Sequence, residues 1–305
     1  MDYIKPFLAG KHWVVQLACL LLFVLVGGIV FSGLGMLVTQ AVYHTMDMYK
    51  ASSPADFIRI SQAFSSIGMF LVPALLFAYG QDKKWLNYQS ANKKPHYLLV
   101  NMTLLLSIVI LPLVAVMEQW NQSVQLPESM SKIQQWMLAM EEQQETLMTF
   151  LTFEHSNANL ILNLIVMAVL PAVCEEFFFR GTLQTFLQEK SRKPHLAIWI
   201  SAFVFSAIHL QFSGFLPRFL LGAYLGYLFY WSRSLWLPIL AHFLHNALSL
   251  IVMFSLQGRG VILEEVKYSE IRGAKTLAIS CAVVAAMSLV FMWKTQKELN
   301  QGRKA

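Results

Sequence analysis

Eight long apolar segments determine what this chain can fold into. Only 13% of its 305 residues are charged, whereas 56% are hydrophobic. A helix needs roughly 20 mostly apolar residues to cross a bilayer. The sequence therefore predicts an all-α polytopic membrane protein with about eight transmembrane helices in one bundle. The segments lie at about residues 13–38, 58–79, 96–116, 157–187, 196–211, 215–231, 234–254 and 274–293.

The connections between these segments are short, with one exception. No internal repeat, low-complexity tract or long linker interrupts the chain, so we expect a single transmembrane domain over residues 1–305. The largest extramembrane piece is the segment 117–156, whose apolar residues follow helical spacing with acids between them. We interpret it as an amphipathic helix that lies on the outer surface or over the bundle; the alternative is a lid or substrate-docking element. The apolar positions are Ile133, Trp136, Met137, Met140, Leu147 and Met148.

The net charge of +6 could indicate nucleic-acid binding, but the distribution of the charges indicates membrane topology instead. Lysines and arginines precede the first segment and follow segments two, four, six and eight, which puts them all on one side of the membrane. The positive-inside rule makes that side cytoplasmic. Both termini are therefore expected in the cytoplasm, and no nucleic-acid partner is expected. Most acids fall on the other side, namely Glu118, Glu128, Glu141, Glu142, Glu145, Glu264, Glu265 and Glu270.

The fourth apolar segment carries ionisable residues. The run Ala172-Val-Cys-Glu-Glu-Phe-Phe-Phe-Arg-Gly181 contains two adjacent carboxylates and an arginine. Ionisable groups at membrane depth are costly, so they indicate a functional site by default. His209, His242 and Asn246 recur in similar apolar settings. At a rise of about 1.5 Å per residue, these side chains and Glu175 fall in one layer, roughly 12 to 20 Å from the cytoplasmic helix ends. The pattern predicts a catalytic site within the membrane.

Helical geometry separates the roles of the two glutamates. Glu176 and Arg180, at i and i+4, share one helix face and are interpreted as an ionised structural pair. Glu175 points to another face without a partner in its own helix, which suits a general base. His242 and Asn246 are also at i and i+4, so they can present two donors to one oxygen atom, as an oxyanion site requires.

Several other features have simpler interpretations. The small-xxx-small pattern Gly222-Ala-Tyr-Leu-Gly226 indicates close helix packing within the molecule. His245 lies on a different helix face from its neighbours and is interpreted as a packing or interface residue. Pro171 and Pro238 each stand four residues before a candidate site residue, where a kink could open a water-containing cavity. The three cysteines, Cys19, Cys174 and Cys281, lack paired spacing and are expected to be packing residues.

Three ordered motifs between residues 157 and 250 carry a resemblance to a known family. They are Glu-Glu-x-x-x-Arg at 175–180, Phe-x-x-x-His at 205–209 and His-x-x-x-Asn at 242–246. In these motifs the chain resembles the CAAX-protease and bacteriocin-processing family, the Abi-type intramembrane glutamate proteases that include the CAAX prenyl endopeptidases. Many bacterial members are assigned to peptide maturation or self-immunity, and we expect this chain in a bacterial plasma membrane.

The resemblance implies a fold and a chemistry. The implied fold is an eight-helix bundle whose cavity opens toward the cytoplasm and holds a water molecule for peptide-bond hydrolysis. Glu175 would activate the water with help from His209, and His242 with Asn246 would stabilise the oxyanion. The implied partners are a membrane-associated peptide or protein substrate and the lipid bilayer, with no cofactor. The supporting residues would be Glu176, Arg180 and Phe205.

Other functions stay open at this point. A divalent metal could assist, since Glu and His are zinc ligands, although no His-Glu-x-x-His pattern is present and Asn is a poor zinc ligand. A proton-coupled transporter could use Glu175 and the histidines as a relay, but the paired halves common among transporters are missing. A non-catalytic scaffold or immunity protein is the third alternative. The sequence favours a metal-independent intramembrane endopeptidase.

Overall fold

The computed structural model describes residues 6–124, 126–152 and 155–257, together with isolated positions between 279 and 293. Within these ranges the chain is helical and contains no strand, which confirms the all-α prediction for this part of the molecule. The helices are α1 (Trp13–Tyr43), α2 (Pro54–Gln81), α3 (Tyr97–Val109), α4 (Leu111–Gln122), α5 (Ser131–Thr152), α6 (Asn157–Ser191), α7 (Pro194–Ala207), α8 (Phe215–Ser232) and α9 (Trp236–Gln257).

Among the described helices, five stretches are long and apolar enough to cross a membrane: α1, α2, the α3–α4 pair, α6 and α9. α7 is apolar but shorter. The first seven segments expected from the sequence each correspond to a helix or helix pair. The eighth, 274–293, lies outside the described residues apart from isolated helical positions, as do the acids between 264 and 270 and the C-terminal lysines. The total of eight spanning helices stays a prediction.

Two of the spanning helices contain a widened π-helical turn directly before a proline. In α2 the turn Ile67–Leu71 precedes Pro73, and in α6 the turn Leu164–Val169 precedes Pro171. Proline lacks an N–H group, and its ring obstructs the carbonyl one turn earlier. A wide turn makes room for that ring while the chain stays helical.

A third π-helical turn, Phe179–Gln184 in α6, contains no proline. Here the Thr182 hydroxyl donates to the Phe177 carbonyl at 3.0 Å, and the Thr185 hydroxyl donates to the Arg180 carbonyl at 3.0 Å. These hydroxyls supply carbonyl partners where the helical ladder is widened. The α-helical stretch that carries both motif glutamates therefore lies between two wide turns.

The connection between α2 and α3 closes the lysine-rich end of the bundle. Its Gln89 side chain is fully buried and donates to the Ala74 carbonyl at 3.1 Å and to the Thr182 hydroxyl at 3.0 Å. The Trp236 indole, at the start of α9, donates to the Ala91 carbonyl at 2.8 Å. Buried polar groups of this kind are costly unless paired, so these bonds fix the connection against α2, α6 and α9.

Helices α7 and α8 approach closely at the small-xxx-small pattern. A Cβ atom added at Gly222 would lie 3.1 Å from the Cα of Ala202, and one added at Gly226 would lie 2.9 Å from the Cγ2 of Ile198. The pattern therefore packs within the molecule, as predicted. The same approach exposes the Gly222 carbonyl to α6, where Arg180 reaches it.

Candidate active site

The second glutamate of the first motif forms a buried ion pair. Arg180 Nη1 donates to Glu176 Oε1 at 2.7 Å, and Arg180 Nη2 donates to the Gly222 carbonyl at 2.8 Å. The guanidinium also lies over the Phe205 ring, with Cζ 4.8 Å from the ring centre. Both charged side chains are almost entirely inaccessible to solvent. The pair joins α6 to α7 and α8 beneath the site.

Glu176 also binds a residue of the third motif. His242 Nδ1 lies 2.8 Å from Glu176 Oε1, the oxygen that accepts from Arg180. A carboxylate ionised by its arginine partner can only accept hydrogen bonds, so Nδ1 carries the proton. The interpretation of Glu176 and Arg180 as a structural pair did not include this contact. In the structure the pair also fixes the orientation of a histidine on another helix.

The other ring nitrogen of His242 faces Glu175. His242 Nε2 lies 4.0 Å from Glu175 Oε2, beyond a direct hydrogen bond but close enough for a bridging water or a small side-chain movement to connect them. Since Nδ1–H is engaged with Glu176, Nε2 is the nitrogen that carries the lone pair whenever the ring is neutral. His242 thus stands between the two motif glutamates and binds only one of them directly.

His209 lies in the turn that follows α7. Its Nδ1 donates to the Phe205 carbonyl at 2.7 Å, and a carbonyl can only accept, so the neutral ring carries its lone pair on Nε2. The next residue, Leu210, has a left-handed φ of 53°, which turns the chain away from the helix axis. The Phe205 ring packs edge-on against the His209 and His242 rings, at 5.3 and 5.8 Å between centroids.

These side chains share one cavity of about 580 Å³. This is a size typical of small-molecule sites. Glu175, His209, His242 and Asn246 all line it, together with the Phe205 ring, although they come from helices distant in sequence. Pro171 also lines the cavity, whereas Pro238 is not among its lining residues. The kink interpretation therefore fits one of the two prolines.

The cavity lies in one half of the bundle. Its walls include Glu118 at the end of α4, Gln144 and Met148 on α5, and Met253 near the end of α9. The lysine-rich connections, 82–96 among them, contribute nothing to it. The side of the membrane toward which the cavity opens, like the cytoplasmic location of the lysine-rich connections, stays a prediction.

The amphipathic helix α5 packs against the turn that carries His209. The Ser213 backbone N–H donates to Glu141 Oε1 at 2.7 Å, and the Trp136 ring packs edge-on against Phe212 at 5.6 Å between centroids. Since α5 also provides two cavity-lining side chains, it covers part of the site. This arrangement agrees with a helix that lies over the bundle, and a role as a lid or docking element stays a prediction.

Sequence reasoning missed or misjudged three cavity residues. His245 was interpreted as a packing or interface residue, but it lines the cavity, and its Nδ1 is buried without a hydrogen-bond partner in the described part of the chain. The interpretation rested on its helix face relative to Asn246, but both residues line the cavity. Arg218 and Glu118 line the cavity too. In the sequence, Arg218 and Glu118 each stand near the end of an apolar segment. A charge in this position is also typical of a side chain that anchors a helix at the membrane surface.

In the ranges 6–124, 126–152 and 155–257, no three His, Cys, Asp or Glu side chains are arranged as a site for a metal ion.

Fold and site together define a class: an all-helical membrane protein with a glutamate–histidine site in a cavity among its helices. Residues 157–248 match the family described as "Type II CAAX prenyl endopeptidase Rce1-like". The match spans all three motifs and confirms the resemblance seen in the sequence for this segment. The family is generally one of proteases.

A curated relative gives a shorter match. The chain is 30% identical over 91 residues to a protein of Bacillus subtilis (strain 168) named "Uncharacterized protein YpbD". The match covers 28% of this chain and 43% of the relative's own length. No solved structure matches the chain significantly.

Proposed function

We propose that the protein is an intramembrane endopeptidase that hydrolyses peptide bonds of membrane-associated peptides or proteins with a water molecule activated at Glu175. One observation carries the proposal: Glu175, His209, His242 and Asn246 line a common cavity, although three separate helical regions provide them. The buried Glu176–Arg180 pair beneath them holds His242 in a fixed orientation. The Rce1-like match supports the activity at the level of the family.

The proposed reaction begins with proton transfer. Glu175 accepts a proton from the water while the water oxygen bonds to the scissile carbonyl carbon, and the carbonyl π electrons move to the oxygen. Hydrogen-bond donors at His242 and Asn246 stabilise the resulting oxyanion. The carbonyl re-forms as the C–N bond breaks, and the proton passes from Glu175 to the leaving nitrogen. The products are a carboxylic acid and an amine, and Glu175 returns to its starting state.

The hydrogen bonds of the two histidines refine their proposed roles. His242 donates Nδ1–H to Glu176, so it can donate from Nε2 to an oxyanion only when both ring nitrogens carry protons. The amide of Asn246 can donate in either case. His209 is held through Nδ1–H, so its Nε2 can accept a hydrogen bond from the attacking water. His209 would then orient the water for Glu175.

We propose further that the lysine-rich connections face the cytoplasm and that the cavity lies in the outer half of the membrane. The charge distribution supports the first statement, since nearly all lysine-rich connections fall at one end of the bundle. The cavity walls support the second, because they include α5 and the outer ends of α4 and α9. Substrates would then reach the site from the outer side or from within the bilayer.

The proposed activity is tested by comparing peptide termini in membranes from cells that carry the wild-type chain or Glu175→Gln at matched expression. We expect new termini with the wild-type chain that disappear in the variant. The matched control is Glu189→Gln, the same substitution on the same helix, since Glu189 is exposed and does not line the cavity. It should retain the new termini.

The outcomes separate the alternatives. Identical termini in wild-type and Glu175→Gln membranes, with both proteins inserted and folded, would contradict the protease proposal and favour a scaffold or a transporter. Repeating the comparison with a chelator addresses the metal. Undiminished cleavage supports the metal-independent mechanism, whereas cleavage that stops with chelator and returns with zinc contradicts it.

A further inference from the structure

Arg218 is a cation in the cavity that forms no ion pair with the residues that the structure describes. It lies in the first turns of α8 and lines the cavity that also contains Glu175. Its guanidinium donates to Gln211 Oε1 at 2.5 Å and to the Gln211 carbonyl at 3.5 Å, both uncharged acceptors. None of the ion pairs formed by the described residues includes Arg218. A guanidinium has five N–H donors, so most of its capacity is unused.

The two arginines that are fully buried in the described part of the chain, Arg59 and Arg180, each have an ion-pair partner. Arg59 donates to Asp56 at 2.5 Å, and Arg180 donates to Glu176 at 2.7 Å. Burying a charge is expensive unless it is paired, and these two arginines follow that rule. Arg218 is only partly buried and opens onto the cavity. Its missing counter-ion can therefore be supplied by a bound molecule.

The chain holds this guanidinium in place. A Cβ atom added at Gly214 would lie 3.1 Å from Arg218 Nη2, so the glycine leaves room for the guanidinium. Gln211 and Gly214 belong to the turn that begins at His209. One turn thus carries a predicted site histidine and positions the arginine, which ties Arg218 to the same site.

We infer that Arg218 is a carboxylate-binding subsite of this cavity and that it takes a carboxylate of the peptide substrate. The inference rests on the proposed endopeptidase function. An arginine fork matches a carboxylate with two parallel hydrogen bonds, which gives geometric selectivity as well as affinity. The carboxylate comes either from the C-terminus of the peptide or from an acidic side chain. Glu118 and Glu175 line the same cavity, but neither forms an ion pair with Arg218, so the guanidinium stays open to an anionic ligand.

Binding is measured without cleavage, on the full-length Glu175→Gln protein in lipid nanodiscs. The probes are three short fluorescent peptides with the same mixed apolar sequence: one with a free C-terminal carboxylate, one with a C-terminal carboxamide, and one carboxamide with an internal aspartate. We expect one carboxylate peptide to bind at least about 10-fold more tightly than the neutral peptide, as hydrogen bonds to charged groups allow. Which of the two binds more tightly identifies the source of the carboxylate.

Two variants test Arg218 itself. Arg218→Gln should bring the affinity ratio of carboxylate to neutral peptide close to one. Gln211→Glu should do the same with the arginine still present, because it places a carboxylate against the guanidinium that competes with the ligand. The matched control is Gln143→Glu, the same charge change on the exposed face of α5 and outside the cavity. It should leave the ratio unchanged.

The outcomes separate this inference from the proposed function. Equal binding of all three peptides, or a carboxylate preference that survives both Arg218→Gln and Gln211→Glu, overturns the subsite. Cleavage of the same peptides is scored with the protein that retains Glu175. A carboxylate preference without cleavage keeps the subsite and counts against the endopeptidase. Cleavage without a carboxylate preference supports the endopeptidase and overturns the subsite.

Discussion

His242 Nδ1 and Glu176 Oε1 lie 2.8 Å apart, although 66 positions separate them in the sequence. The same oxygen accepts from Arg180 at 2.7 Å. The first and third motifs therefore meet in one buried network of three side chains. Because every member is nearly inaccessible to solvent, loss of one member leaves another unpaired in a medium of low polarity.

The first prediction concerns the buried ion pair. Glu176→Gln keeps the shape of the side chain but leaves Arg180 without a counter-charge, so the free energy of unfolding should fall by about 3–5 kcal/mol. Arg180→Gln should have a similar effect for the converse reason. The measurement is thermal or denaturant unfolding of the purified protein in detergent.

The double variant Glu176→Gln, Arg180→Gln sharpens this prediction. It should be more stable than the sum of the two single losses implies, because neither charge is then left alone. Strictly additive losses would show that the two side chains do not interact, contrary to the 2.7 Å contact.

A second prediction separates the two histidines. His242→Gln removes the partner of Glu176, so it should lower both peptide cleavage and stability, the latter by about 1–3 kcal/mol. His209→Gln should lower cleavage by about 100-fold, because the attacking water loses the Nε2 acceptor that orients it. It should leave stability almost unchanged, because the half-buried His209 ring forms a single hydrogen bond among the described residues, to a carbonyl of its own helix end.

Cleavage rates and melting temperatures of the two variants, measured side by side, check this difference. A loss of stability in His209→Gln equal to that in His242→Gln would contradict the structural distinction between the two rings.

How much of this site could be predicted from the sequence depends on how far apart the contacting residues are. Helix positions follow from local apolar stretches, and the pairing of Glu176 with Arg180 follows from spacing within one helix. The contact of Glu176 with His242 depends on how α6 packs against α9, which no local pattern specifies. Arg218 was missed because a charge at the end of an apolar segment is also typical of a side chain that reaches the membrane surface.

The third prediction concerns the close approach of α7 and α8. Gly222→Leu should lower the free energy of unfolding by about 1–3 kcal/mol and reduce cleavage, because the new side chain meets Ala202 and Phe205 and moves the Gly222 carbonyl away from Arg180. The control is Gly33→Leu on α1, where an added Cβ atom meets nothing within 4 Å. Unfolding of both variants in detergent is the measurement, and equal losses would contradict the packing argument.

The fourth prediction addresses the orientation of the bundle. In a chain whose three cysteines are replaced by alanine, a new cysteine is introduced at Gln143 on α5 or at Lys84 in the connection after α2. Both positions are exposed. Since positive charge is retained on the cytoplasmic side, a membrane-impermeant maleimide should label Gln143→Cys in intact cells and Lys84→Cys only after permeabilisation.

Cells that carry the cysteine-free chain with neither new cysteine give the background labelling. A membrane-permeant maleimide shows that both positions can react. The reverse labelling pattern would place the lysine-rich connections outside the cell. The end of the bundle that contains α5 and the cavity would then face the cytoplasm. Because α5 lines the cavity through Gln144 and Met148, the side on which Gln143→Cys is labelled is also the side of the membrane nearer the cavity.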